Sequence, residues 1–120
     1  MSGSIGLSPA LTHYLAETNA PEHPALVRCR EETQVMSGAG MQISAEQGSF
    51  MQAIARMIGA NRAFEVGVFT GYSALATALV LKEMHPIGAH LLACDISEEW
   101  TIKARAYWRD ADVDDVIDLQ

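Results

Sequence analysis

The chain has 120 residues, 49% of them hydrophobic, which suffices for one domain with a buried core and is too short for two. Its 15 acidic and 8 basic side chains leave a formal net charge of −7, the wrong balance for a surface that neutralises nucleic-acid phosphates. No apolar run approaches the ~20 residues of a membrane span, and the opening MSGSIGLSPA has neither a basic n-region nor a long apolar h-region.

The first expected element is a short helix through Pro9 to Glu17, with Ser8 as its cap and Pro9 at a position where a missing N–H costs nothing. Asn19 to Pro24 breaks it. Pro24 then opens a second helix whose mildly apolar stripe is Leu26, Cys29, Thr33 and Met36. Ser37 to Gly40 reads as a flexible connection, after which Ser44 to Gln47 has capping-box spacing. The third helix carries an apolar face of Phe50, Ile54, Met57 and Ile58, and Gly59 stands where a left-handed residue would end it.

From Ala63 the pattern becomes β-rich. Ala63 to Val68 reads as a strand, Phe69 to Ser73 as a glycine-rich turn, and the following residues to Leu81 as a helix apolar nearly all round, hence buried. Lys82 to Gly88 is a loop and His90 to Asp95 a second strand of two-side-buried character. Ser97, Glu98 and Glu99 suit the start of a helix whose inward stripe is Trp100, Ala104, Tyr107, Trp108 and Ala111. Asp114 and Asp115 turn the chain into a third short strand, Val116 to Leu119. The expected organisation is one domain over 1–120, with N-terminal helices in 1–60 and a βαβαβ unit in 61–120. Such a unit is half of a doubly wound parallel sheet, and its ligand belongs at the carboxyl edge of the strands.

At that edge lies Glu65 to Ser73. Glycine there lets a ligand approach the backbone, and the helix beyond it offers free N–H groups. The glycines are spaced G-x-x-x-G, which disfavours a dinucleotide that needs G-x-G-x-x-G, and so a nicotinamide oxidoreductase. Glu65 repels a phosphate and accepts from an ammonium group. Asp95, at the end of the next strand, is placed to accept from ribose hydroxyls, although alone it reads equally as a solvated or capping acid. An amino acid joined to a nucleoside matches both features, which points to S-adenosylmethionine; the alternative is an ordinary βα turn without a ligand.

The run Glu65-Val66-Gly67-Val68-Phe69-Thr70-Gly71-Tyr72-Ser73 through Leu79, with Met41 to Phe50 upstream and Cys94-Asp95-Ile96 downstream, resembles the class I O-methyltransferases of the caffeoyl-CoA and catechol type. The resemblance implies a Rossmann-like fold of which this chain holds the first three strands and the N-terminal helices. It further implies that Glu65 and Gly67 lie by the methionine portion of the cofactor, that Val68 offers backbone contacts, and that Ser73 and the backbone of Ile43 meet the amino-acid end. Asp95 takes the ribose hydroxyls and Ile96 packs on the adenine, while Tyr72 either lines the pocket or packs, with packing expected.

Relatives of this type are roughly twice as long, and their second half holds an acidic strand end and an Asp-Asn pair that bind a divalent metal such as Mg, with most of the pocket for a small aromatic acceptor. This chain stops before those motifs, so no catalytic or metal-binding residue is assigned to it. Asp112, Asp114, Asp115 and Asp118 read as a solvated acidic face, and His13, His23, His85 and His90 show no ligand spacing. The six methionines and two tryptophans are expected in the core. Cys29 and Cys94 belong to no CxxC or Cys/His cluster, which fits a reducing cytoplasm. The reading is the cofactor-binding half of an S-adenosylmethionine-dependent O-methyltransferase. Its rival is a truncated, non-catalytic interaction module, and in either case an exposed edge on the first strand predicts a homo-oligomer.

Overall fold

The computed structural model describes residues 6–120. Helix α1 spans Pro9–Thr18, and the Ser8 hydroxyl accepts from the Leu11 N–H as the capping pattern requires. Helix α2, Pro24–Gln34, is capped by His23, whose Nδ1 accepts from the Ala25 N–H. The connection expected to be flexible instead closes a 3-10 turn at Ala39–Met41, entered through Gly38 at φ 83°. Helix α3, Ala45–Ile58, begins with Ser44 accepting from the Gln47 N–H and ends on left-handed Gly59.

Three parallel strands follow, β1 (Arg62–Val66), β2 (His90–Cys94) and β3 (Ile117–Leu119), linked by α4 (Tyr72–Met84) and α5 (Glu98–Asp110). Their order in the sheet is β1-β2-β3, which leaves one edge of β1 unpaired. Register puts Ala63 beside Leu91 and Ile117, and Glu65 beside Ala93 and Leu119. This row meets the helices: Leu91, Ala93 and Ile117 join a core with Leu75, Leu81 and the fully buried Trp108. The alternate row, on the opposite face because side chains alternate along a strand, holds Phe64 and Val66, which are 67% and 74% exposed.

Helix α2 lies across α4 and α5. Arg28 pairs with Asp110 and stands 4.9 Å from the centre of the Tyr107 ring, while the Tyr107 hydroxyl donates to Glu32. Among the described residues no helix is long and apolar enough to cross a membrane.

Some expectations need correction. The first strand stops at Val66 rather than Val68, because Gly67 at φ 90° leaves extended geometry. The apolar stripe of α3 is not buried: Phe50, Met57 and Ile58 are largely exposed and Ile54 partly so. The side of α3 that is buried carries Gly48 and Ala55, small residues that allow close packing; a Cβ on Gly48 would come within 3.0 Å of the Tyr72 ring. Met41 and Met57 are exposed rather than in the core, and Trp100 is only half-buried because its ring caps a turn instead of filling the interior.

Candidate functional site

Beyond β1 the chain makes two left-handed turns through glycine for different reasons. The Gly67 N–H donates to the Cys94 carbonyl at 2.8 Å, and a Cβ added at Gly67 would meet nothing within 4 Å, so this glycine supplies conformation and leaves its open side free. Gly71, at φ 86°, is hemmed in: a Cβ there would fall 2.7 Å from Ala104 and 2.8 Å from Trp108 Nε1. The indole N–H of Trp108 donates to the Gly71 carbonyl at 3.2 Å, so α5 seats directly on the turn.

Between the glycines, Phe69 adopts φ 52°, a left-handed conformation that costs a side-chain-bearing residue energy unless its surroundings enforce it. Two contacts do so. Its N–H and that of Val68 donate to Asp95 Oδ2 at 2.9 and 2.7 Å, and its ring meets Trp100 edge-to-face at 4.9 Å. Asp95 Oδ1 accepts from the Ser97 N–H at 2.8 Å, tying the end of β2 to the cap of α5. Burial pushes the Asp95 carboxyl up, but N–H groups of Ser97, Phe69 and Val68 together hold it below the usual carboxylate range. Asp95 thus braces the turn with one carboxylate oxygen and the capping residue of α5 with the other.

Glu65 lies on the row of β1 that faces α4, and the Ser73 hydroxyl from the first turn of α4 donates to its Oε1. Burial pushes the Glu65 carboxyl up, and the Ser73 bond opposes this. The pair opens onto a groove of about 580 Å³ walled by α3 and β1. Ile43, Glu65, Gly67, Val68 and Ser73 all line it; Asp95 and Ile96 do not, and Ile96 is fully exposed. Apolar walls with a few convergent polar groups are the usual make-up of a small-molecule site.

Other polar groups around the site escape sequence reasoning. Tyr72 is buried and also lines the groove; its hydroxyl donates to Glu22 at 2.7 Å, and Arg30 grips the same carboxylate with Nε and Nη2. Burial, then Glu22, push the Tyr72 phenol well above its ordinary range. Thr33, which belongs by spacing to an apolar stripe, is fully buried with its hydroxyl 2.7 Å from that of Thr70. Only the presence of a polar residue in that stripe hinted at a partner. Away from the groove, Lys82 pairs with Asp115, and Arg105 and Arg109 approach Asp114. Among the described residues no three His, Cys, Asp or Glu side chains are grouped so as to hold a metal ion.

A model of the O-methyltransferase family matches residues 16–120. The catechol O-methyltransferase domain-containing protein 1 of Mus musculus is 36% identical over 110 residues, covering 92% of this chain and 40% of the mouse protein. A caffeoyl-CoA O-methyltransferase of Populus kitakamiensis is 44% identical over 80 residues, 63% of this chain and 34% of its own length. Among solved structures, the SAH-bound methyltransferase of Podospora anserina superposes with TM-score 0.81 at 26% identity, covering 99% of this chain and 52% of that one. The O-methyltransferase TomG of Streptomyces achromogenes shares the fold, with TM-score 0.76 at 23% identity. The chain therefore spans between a third and about half of the length of these relatives.

Proposed function

The chain belongs to the O-methyltransferase family and has the Rossmann-like α/β fold of its class I members, and from that premise we propose that its groove binds S-adenosylmethionine and its demethylated product. The observation that carries the proposal is the meeting of Glu65 and Ser73 beside the open side of Gly67. A half-buried carboxylate next to a hydroxyl accepts from an ammonium group, the hydroxyl can turn to donate to a carboxylate, and a glycine without neighbours leaves room for a thioether chain. Ile43 and Val68, in the same groove, present backbone and apolar surface to the methionine end. Asp95 and Ile96 complete the proposal as ribose and adenine contacts. A ribose there draws on a carboxylate already committed to three backbone N–H groups.

In this reading the strand half, 61–120, holds the donor and residues 41–60 of the helical half wall it, within one domain. The reaction served is methyl transfer to a hydroxyl of a small aromatic acceptor, catechol- or caffeoyl-like. What the chain's own groups contribute is orientation: they fix the donor's amino-acid end so that the sulfonium lies at a constant place for in-line attack. A divalent metal, where the family uses one, lowers the pKa of the acceptor hydroxyl, and no residue here is assigned to it.

Calorimetric titration with S-adenosylmethionine and S-adenosylhomocysteine tests the proposal. Wild type binds both, and Glu65→Gln and Ser73→Ala each weaken binding by roughly tenfold, the scale of a hydrogen bond to a charged group. Absence of binding to wild type refutes it. A second reading, a homo-oligomeric interaction module, draws support from the exposed edge strand β1 with its bare Phe64 and Val66.

A further inference from the structure

No residue of α2 lines the groove, yet α2 reaches the floor of the turn that does. Thr33 Oγ1 lies 2.7 Å from Thr70 Oγ1, and Thr70 is itself part of the groove lining. From the preceding turn of α2, the Cys29 thiol is 3.5 Å from the Thr70 carbonyl, to which it donates, and 4.0 Å from the Thr70 hydroxyl. All three residues are at most 1% exposed, so water does not replace any partner that is lost. The turn is otherwise held from its other flanks, by Asp95 on the N–H groups of Val68 and Phe69 and by Trp108 on the Gly71 carbonyl. The Thr33 hydroxyl and the Cys29 thiol are what α2 adds.

We propose that Thr33 is a positioning residue for the donor: acting through Thr70, it sets where the Val68 to Gly71 turn lies relative to Glu65 and Ser73, and so couples α2 to binding in the groove. The inference rests on the functional reading above. The physical ground is that a buried hydroxyl left unpaired relaxes toward any other acceptor or donor within reach. For Thr70 that means moving the backbone of a turn which already holds Phe69 at φ 52°. Thr33→Val keeps the branched shape of the side chain and replaces the hydroxyl with a methyl group.

The two tryptophans of the chain report on this turn directly, Trp100 through the Phe69 ring and Trp108 through the Gly71 carbonyl. The experiment therefore reads S-adenosylhomocysteine affinity by calorimetry and intrinsic tryptophan emission on the same samples. Thr33→Val is expected to weaken binding about tenfold and to shift the emission of the free protein, whereas Thr33→Ser, which restores the oxygen, returns both toward wild type. In a Thr70→Val background, adding Thr33→Val changes neither further, because the partner through which it acts is gone. A Thr33→Val protein that binds like wild type overturns the proposal, as does a Thr33→Ser protein that behaves like Thr33→Val. If wild type itself does not bind, the functional reading falls. The inference is then decided by emission alone, and an unshifted spectrum for Thr33→Val overturns it. If Thr33→Val does not fold, the Thr33→Ser and Thr70→Val proteins decide: native emission and affinity in Thr70→Val overturn the proposal.

Discussion

Glu65 combines two opposite demands. Burial disfavours its charged form in the folded chain, so its folded-state pKa lies above the unfolded value. A carboxyl shifted upward contributes stability below its unfolded pKa and loses it as pH rises through the folded one. Glu65→Gln should therefore be more stable than wild type at neutral pH, with the difference shrinking toward pH 4, while it binds S-adenosylmethionine less tightly. Thermal melts across this range check the first half and calorimetry the second. Asp95 behaves in the opposite sense. Its folded-state pKa is depressed, so its contribution is present above the unfolded value near ~3.9 and is lost as pH falls through the folded one. Asp95→Ala frees the N–H groups of Val68, Phe69 and Ser97, and is expected to cost roughly 1 to 3 kcal/mol in denaturant melts at neutral pH, before any ligand is added. A loss of affinity without a loss of stability would show that the acid serves only a ligand.

Elements were more legible than the partners they choose. Both proline starts, the Ser44 and Ser97 caps and the Gly59 stop were readable because they are local chemistry, satisfied within a turn of the chain. That Glu65 and Ser73 come together at one groove was readable for a related reason, since strand, turn and helix are consecutive. The burial of α3 was not readable. Phe50, Met57 and Ile58 outweigh Gly48 and Ala55 in any hydropathy pattern, but α4 docks on the small residues because they let two helix backbones approach. Thr33 and Thr70 were missed because their pairing crosses between elements and leaves no periodic trace. The two glycines of the turn make a prediction at this scale. Gly71→Ala strains a φ of 86° and drives a methyl into Ala104 and Trp108, so it should destabilise by more than ~2 kcal/mol. Gly67→Ala meets open space and bears only the conformational cost, about 1 kcal/mol. Equal losses in chemical denaturation would contradict this division of roles.

At the scale of the molecule, β1 has a free edge, and its exposed Phe64 and Val66 share the groove with Phe50, Ile54 and Ile58 of α3, apolar surface of the kind that recruits a partner. If a second copy is that partner, light scattering at micromolar concentration finds twice the 13.0 kDa mass, and Val66→Lys lowers it; a clean 13.0 kDa particle argues against self-association. The strand order also has a bearing on how the chain assembles during synthesis. Each new strand is laid outside the last, so growth proceeds away from β1. The supports of the turn emerge from the ribosome in sequence: Thr33 before the turn exists, Asp95 after it, and Trp108 last. A nascent chain halted between Asp95 and Trp108 should thus carry a turn braced from α2 and β2 but open on the side of α5.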